Sequence, residues 1–380
     1  MDFEIFYGLN GVHFDKSKIA SIDGLNGELI YRGYDIRELA INATFEEVVY
    51  LLWYDELPKK TELEKFTADL RTNYKIPEGV IKVLKELPKD THPMHAIRTG
   101  ISALASFDKQ ADDLEMDNIH RIGSKLVAQF PAIVAAFYRI REGKEIIEPD
   151  ETLSIAANFL YMFNGEKPSQ AATHVMDTAL ILHAEHGSNA SAFVCRATAS
   201  SLTDVYSAVT AAMASLKGKL HGGANTAVMK ALEEIGNVAG VEDYVLKTLA
   251  IPGGRVMGFG HRVYKVLDPR AVILKKVSHK LAEESGDSKW FEMSVEMERV
   301  MDIEMDKKGK QIKPNVDFYS ASVYRMLGFP GDMYTPIFAV ARISGWMAHL
   351  YEQYANNRLM RPRLVYEGQK GLKFKDVSER

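Results

Sequence analysis

Cysteine is almost missing from this chain. A single Cys195 among 380 residues leaves no intrachain disulfide and no cysteine-built metal cage, and it suits a reducing compartment. Neither sign of charge is in excess: 47 Lys and Arg stand against 51 Asp and Glu, a net charge of -4. That argues against a nucleic-acid partner held by phosphate neutralisation. No cation precedes Lys16 and no apolar core follows it, so neither a signal peptide nor a transit peptide is expected, and the expected localisation is cytoplasmic. Uncharged runs such as 152–165 contain polar residues and fall short of the roughly 20 apolar residues a membrane span needs. A soluble protein with no membrane partner is expected. Internal repeats, low-complexity tracts and the strand–helix alternation of a doubly wound sheet are also missing.

Helical periodicity fills the space these absences leave. One short β-hairpin is expected in "IASIDGLNGELIYRGY", from its Asp-Gly and Asn-Gly turn signals. In "TFEEVVYLLWYDELP" the residues Phe45, Val48, Val49, Leu52 and Trp53 fall on one helical face. Thr44 is its N-cap, with Glu47 at the capping-box position and Pro58 past its end. "TELEKFTADLRTNY" repeats the pattern at Leu63, Phe66 and Leu70. The long apolar stretch around Pro131 should be kinked or divided by that proline. "SLTDVYSAVTAAMASLKGK" and "TPIFAVARISGWMAHLYEQYANNR" have the composition of buried helices. Polar loops are expected in "DKQADDLEMDN", "EGKEIIEPDE", "NGEKPSQ" and "DKKGKQIKPN", with a surface tail from Gly368. The fold class is all-α, multi-helical, with little sheet.

Four short segments carry residues that chemistry could use. In "HAEHGSNAS", His183 and His186 stand three apart at an expected helix end. They could pair on a metal, serve as helix-terminal histidines, or, with Asn189 and Ser191 alongside, meet a polar ligand. In "LKGKLHGGAN", His221 lies between a helix ending near Lys217 and another starting near Asn225. The amide dipoles of a helix N-terminus disfavour imidazolium there, so a neutral, hydrogen-bond-donating ring fits as well as a bystander in a glycine turn. "GGRVMGFGHRVYKVLDPRA" surrounds His261 with glycines and with Arg255, Arg262, Lys265 and Arg270. It is neither a phosphate loop ending in Gly-Lys-Ser/Thr nor a dinucleotide fingerprint. It is a basic loop that is either solvated or a backbone cradle for an anion. In "KPNVDFYSASVY", Asp317 reads alone as a helix N-cap.

Taken in order, "LKGKLHGGAN", "MGFGHRVYKVLDPRA", "PNVDFYSASVY" and "ARISGWMAHLYEQYANNRLMRPR" resemble the citrate synthase family, in its shorter homodimeric bacterial and archaeal form. The resemblance runs from about Gly8 to Tyr366. It implies a large helical domain from residues 1–221 and 326–380 and a small domain, 222–325, that closes over the substrates. It places His221, His261 and Asp317 at catalytic positions. His186, Arg270, Arg342 and Arg361 fall at oxaloacetate positions, Arg361 reaching the partner subunit's site. The stretch Arg255, Val256, Met257, Gly258, Phe259 and Gly260 falls where the family folds backbone around the CoA adenine, with Arg262 and Lys265 as expected phosphate contacts and Lys308, Lys310 and Lys313 as candidates for further CoA contact. Asn189 and Phe338 are expected to line the substrate site.

The implied reaction condenses acetyl-CoA with oxaloacetate and hydrolyses the thioester. CoA is then a co-substrate, with no metal and no permanently bound cofactor expected. Asp317 would remove the methyl proton, neutral His221 would hold the enolate oxygen, and His261 would polarise the ketone. Arginines match the two carboxylates of oxaloacetate with charge-assisted hydrogen bonds. The chain departs from the family at Lys219, where proline is common, at Glu185, in place of aspartate, and at Ala192, in place of threonine. A 2-methylcitrate synthase using propionyl-CoA, and a non-catalytic acyl-CoA or dicarboxylate-binding protein, are the alternative readings. "HPMHAIRTG" does not separate acetyl from propionyl.

Overall fold

The structure, a computed structural model, describes residues 4–380. Its sheet is small and antiparallel: β1 (Ala20–Asp23), β2 (Glu28–Tyr31) and β3 (Tyr34–Asp35), in that order, with Ile22 opposite Leu29 and Ile30 opposite Asp35. The expected hairpin thus gains a third strand. Its first turn is fixed by Asp23, whose carboxylate accepts from the N–H groups of Leu25 and Asn26. That turn does not face solvent alone. Gly24 accepts from the Lys265 N–H at 2.8 Å, and a Cβ at Gly24 would lie 2.3 Å from the Val263 carbonyl oxygen.

Sixteen α-helices follow among the described residues. The first five are α1 (Ile36–Asn42), α2 (Phe45–Tyr54), α3 (Lys60–Thr72), α4 (Glu78–Lys85) and α5 (Pro93–Leu104). Thr44 and Glu47 form the expected capping box at the start of α2, which buries Phe45, Val48, Val49, Leu52 and Trp53. α3 buries Phe66 and Leu70, with Leu63 only half-buried. Next come α6 (Met116–Arg141), α7 (Ile155–Asn164), α8 (Gln170–His183), α9 (Ala190–Ala199) and α10 (Val205–Leu216). The chain ends with α11 (Ala224–Ile235), α12 (Val241–Ala250), α13 (Pro269–Ser285), α14 (Lys289–Lys307), α15 (Val316–Met326) and α16 (Tyr334–Ala355).

Pro131 does not divide its helix. α6 runs 26 residues straight through it. Every residue from Leu126 to Phe137 is buried, and α6 packs along α16. Packing on all sides offsets the one backbone hydrogen bond that proline forfeits. α16 is the central element, buried almost continuously from Tyr334 to Gln353 and touching α2, α6, α8, α9 and α10. Beyond it α15 packs on both α11 and α13, and α12 packs on α14, while α13 also meets α1 and α8. From Arg361 onward the chain is exposed, so the surface tail starts earlier than Gly368.

Candidate active site

Two buried arginines organise the site. Arg342 lies mid-way along α16, its Nε donating to the His183 carbonyl at 2.8 Å and its guanidinium over the Phe338 ring at 4.6 Å. Burial pushes it down to about 10, so it stays cationic at neutral pH. Its terminal nitrogens meet no protein acceptor within hydrogen-bond reach among the described residues. Arg270 lies in the first turn of α13 and grips Asp268 through Nε and Nη2 at 3.0 and 2.8 Å. Burial works against its charge, but the Asp268 carboxylate more than offsets this and holds it above the usual guanidinium range.

Asp268 is a residue that sequence reading passed over. It caps α13 through the Arg270 N–H and also accepts from the Val316 N–H at 3.2 Å. One carboxylate therefore ties the arginine to the first residue of α15, where Asp317 follows. Asp317 is not the N-cap its setting suggested. Asn315 caps α15, accepting from the Asp317 N–H at 3.0 Å. The Asp317 carboxyl is left without a hydrogen-bond partner among the described residues. Burial pushes it up to about 6, with Arg270 pulling the other way and Asp268 adding to the rise.

The loop bearing His261 is laced to this segment. Gly260 N–H donates to the Lys313 carbonyl, Asn315 N–H to the Gly258 carbonyl, and Asn315 Nδ2 to the Gly260 carbonyl, all at 2.8–2.9 Å. Gly258 has φ +84, and a Cβ there would lie 2.7 Å from Val228 and 2.8 Å from Phe318. Its glycine is thus demanded by protein packing, in addition to any approach of CoA. His261 Nδ1 accepts from the N–H groups of Val263 and Tyr264 at 3.0 and 3.1 Å. Backbone N–H groups can only donate, so Nδ1 is unprotonated and the ring proton sits on Nε2. Burial, helped by the Arg270 charge, pushes His261 down to about 4.

His221 carries the opposite tautomer. Its Nε2 accepts from the Ser191 N–H at 3.2 Å, which leaves the proton on Nδ1; Ser191 Oγ, 2.8 Å from Nε2 and 2.8 Å from Asn189 Oδ1, has one proton to turn to either. Burial, then Arg342, pushes it down to about 4. The helix N-terminus it faces is that of α9, where Ser191 lies in the first turn, and not the α11 terminus that follows it in sequence. Trp346, one turn beyond Arg342, donates to Ser191 Oγ at 3.1 Å. Asn189 is the α9 N-cap: its oxygen accepts from the Ala192 N–H and lies 2.8 Å from Ser191 Oγ, and one of its two amide protons goes to the Gly187 carbonyl. Asn189 thus supports Ser191 behind His221, and is itself half-buried.

The His-x-x-His pair separates. His183 closes α8, its Nδ1 donating to the Ala179 carbonyl at 2.7 Å and its ring edge-on to Phe338. His186 lies past the helix, its Nε2 3.2 Å from the Tyr264 hydroxyl and its ring 5.3 Å from that of His261. The two rings do not converge on one point. Tyr264, also missed in the sequence, thus bridges His186, His261 and the Arg270 guanidinium, which lies 5.9 Å from its ring.

The expected CoA residues divide. Arg255, Met257, Arg262 and Lys265 are exposed, Val256 and Gly258 are buried, and the Phe259 ring lies 4.6 Å from that of Phe318, tilted by 58°. Lys313 spends its ammonium on Asp302 at 2.8 Å. A cavity of about 160 Å³ lies beside His261, lined by Tyr264, Lys265, Asp268 and residues 311–314 among others. Arg361 is exposed and makes no hydrogen bond or ion pair within the described chain.

Comparison with known proteins bears on what this arrangement does. The family model for the citrate synthase C-terminal domain matches residues 8–363. The chain is 47% identical to a citrate synthase of Haloferax volcanii, over all of both sequences. It is 48% identical to citrate synthase 2 of Bacillus subtilis, over 98% of each. A citrate/2-methylcitrate synthase of the same bacterium is 43% identical over 95% of this chain and 96% of the relative. Among solved structures, citrate synthase from Pyrobaculum aerophilum superposes with a TM-score of 0.93 at 38% identity, over 99% and 95% of the two chains. The ternary complex of carboxymethyl-coenzyme A and oxaloacetate with citrate synthase from Thermoplasma acidophilum superposes with a TM-score of 0.91 at 35% identity, over 99% and 100%.

Proposed function

The chain belongs to the citrate synthase family, and from that premise we propose how its own residues divide the work. The enzyme is an acyltransferase that condenses acetyl-CoA with oxaloacetate and releases citrate and CoA. Its hard step takes a proton from the methyl of a thioester, a very weak carbon acid. Asp317 is the base. Its carboxyl has no hydrogen-bonded partner among the described residues, and a value near 6 leaves it ionised at neutral pH yet more basic than an ordinary aspartate.

The enolate needs a donor that stays uncharged, and His221 offers Nδ1–H while Ser191 occupies Nε2. His261 offers Nε2–H to the ketone of oxaloacetate, because Val263 and Tyr264 occupy Nδ1. Each donor of this kind is worth about 10²–10³ in rate. The observation that carries the reading is this pair of opposite tautomers, each fixed by backbone N–H groups that cannot reverse their role. Arg342 and Arg270, with His186, take the carboxylates, and Phe338 supports Arg342 from below.

The segment 222–325 acts as the closing domain, which fits the mutual packing of α11 to α15. Arg361 completes the site of the partner in a homodimer, which fits its exposure beyond α16. Residues 255–260, Arg262 and Lys265 receive CoA. Lys313 supports that loop through its carbonyl while Asp302 holds its ammonium. A cytoplasmic location fits the single buried thiol, Cys195. A propionyl-CoA activity is the second reading, favoured by the similarity to the citrate/2-methylcitrate synthase. One extra methylene is worth only about 1–3 kcal/mol in a pocket, so kcat/KM for both thioesters, followed by thiol release, decides it. No thiol release from either thioester would refute the reading of the site.

A further inference from the structure

Glu185 is one of the most deeply buried carboxylates in the molecule, with none of its surface exposed. It stands immediately before His186, in the segment between α8 and α9. Its Oε1 lies 3.1 Å from His349 Nε2. Its Oε2 has no hydrogen-bond partner among the described residues. Arg342, Gly345 and His349 fall at i, i+3 and i+7 on one face of α16, and Glu185 lies against that face. A Cβ on Gly345 would come within 2.2 Å of Glu185 Oε2 and 2.5 Å of the Ala184 carbonyl oxygen. Glycine at 345 is therefore what admits the carboxylate at all. Burial lowers Arg342 most, and among the acidic groups that oppose this Glu185 acts most strongly, ahead of Tyr31 and Asp317, though no hydrogen bond joins them.

The site thus gives each guanidinium its own internal carboxylate, in two different ways. Asp268 grips Arg270 directly through two nitrogens. Glu185 sits behind Arg342 without touching it, so the terminal nitrogens of Arg342 remain available to a ligand while its charge is partly offset. Burying a carboxylate is costly unless its charge is used. His349 supplies a hydrogen bond, and the Tyr31 hydroxyl fixes the backbone by bonding both the Glu185 carbonyl and the Glu185 N–H.

We propose that Glu185 is a positioning residue that acts through Arg342: an internal counter-charge that weakens the hold of the clamp on anions and so lets the product leave. Oxaloacetate carries two carboxylates and citrate carries three. Two uncompensated guanidiniums would favour the product over the substrate. A fixed negative charge behind Arg342 repels both ligands, and the trianion more strongly. The inference rests on the assignment of Arg342 to the substrate clamp.

The test is Glu185→Gln in the full-length enzyme, with Arg342→Leu measured beside it. The readouts are the oxaloacetate KM and the inhibition constant of citrate competing with oxaloacetate. Removing the charge while keeping shape should tighten both, about threefold for oxaloacetate and about fivefold for citrate, from the distance dependence of charge interactions at moderate dielectric. A residue that merely holds the loop in place would move both constants the opposite way. Unchanged or weakened binding in Glu185→Gln, with oxaloacetate KM raised in Arg342→Leu, overturns the counter-charge and leaves the clamp standing. Unchanged KM in Arg342→Leu overturns the clamp itself. Should Glu185→Gln not fold, the paired variant Glu185→Gln with His349→Gln keeps a hydrogen bond between two amides. The same tightening is expected of it, and its absence is equally decisive.

Discussion

At the scale of single residues the account depends on protonation states that the backbone sets. His221 and His261 are both neutral above about pH 5, since burial pushes each down to about 4. Asp317, raised to about 6, must be ionised to act. The sign follows directly: kcat/KM should be flat near neutrality and fall about tenfold per pH unit below ~6, and more steeply below about 4 as the imidazoles protonate. A pH–rate profile whose acid limb lies near the ordinary carboxylate value of about 4 would show that the Asp317 environment is not as described. Arg342→Leu should raise oxaloacetate KM by about 10- to 100-fold, the worth of a charge-assisted hydrogen bond, with far-ultraviolet circular dichroism unchanged. Its buried Nε contact is with a carbonyl, and leucine suits the surrounding apolar helix.

At the scale of elements the loop 253–267 is a device that only its surroundings explain. It is tied to the α15 N-terminus by three hydrogen bonds, and the turn between β1 and β2 props it from the other side. Gly258→Ala would force a Cβ into Phe318 and Val228 at a residue with φ +84. It should cost about 1–3 kcal/mol in a thermal melt and lower kcat by displacing His261; a melt and kcat equal to the parent would refute the packing argument. The elements themselves were largely legible. Thr44 and Glu47 announce α2, and the apolar period of 334–355 announces α16, because local signals are strong there. Pro131 misled, because the proline penalty is local and the packing that overrides it is not. Ser191 behind His221, and Asp268 between Arg270 and Val316, were invisible for a related reason. Their partners lie 30 and 48 residues away, and no periodicity encodes such a distance. Glycines at 222 and 260 make His221 and His261 conspicuous, Asp317 follows Asn315 by two, and only the family resemblance lent the three a role. The motifs could not say which ring nitrogen would carry the proton.

At the scale of the whole molecule the candidate site draws on elements between residues 170 and 355, α8, α9 and α16 with α11, α13 and α15. Arg361 would add a contribution from a second copy. Two inactive variants provide the check. A chain with Asp317→Asn and a chain with Arg361→Leu, refolded together, should form mixed dimers in which one site of the two has every native residue. Activity should reappear on mixing, and light scattering should report a dimer. Failure of the mixture to recover activity, despite dimers, would mean that each chain completes its own site.

The central claim is that one half-buried carboxylate takes the carbon proton while neutral imidazoles steady the oxygens. Asp317→Asn is nearly isosteric and leaves the Asn315 cap, the Asp268 network and both histidines in place. The deciding measurement is kcat for thiol release from acetyl-CoA in that variant, with oxaloacetate affinity determined separately. A fall of about 10²–10⁴, the range for loss of a general base, with oxaloacetate affinity kept, is the predicted result. A kcat within tenfold of the parent would contradict the account.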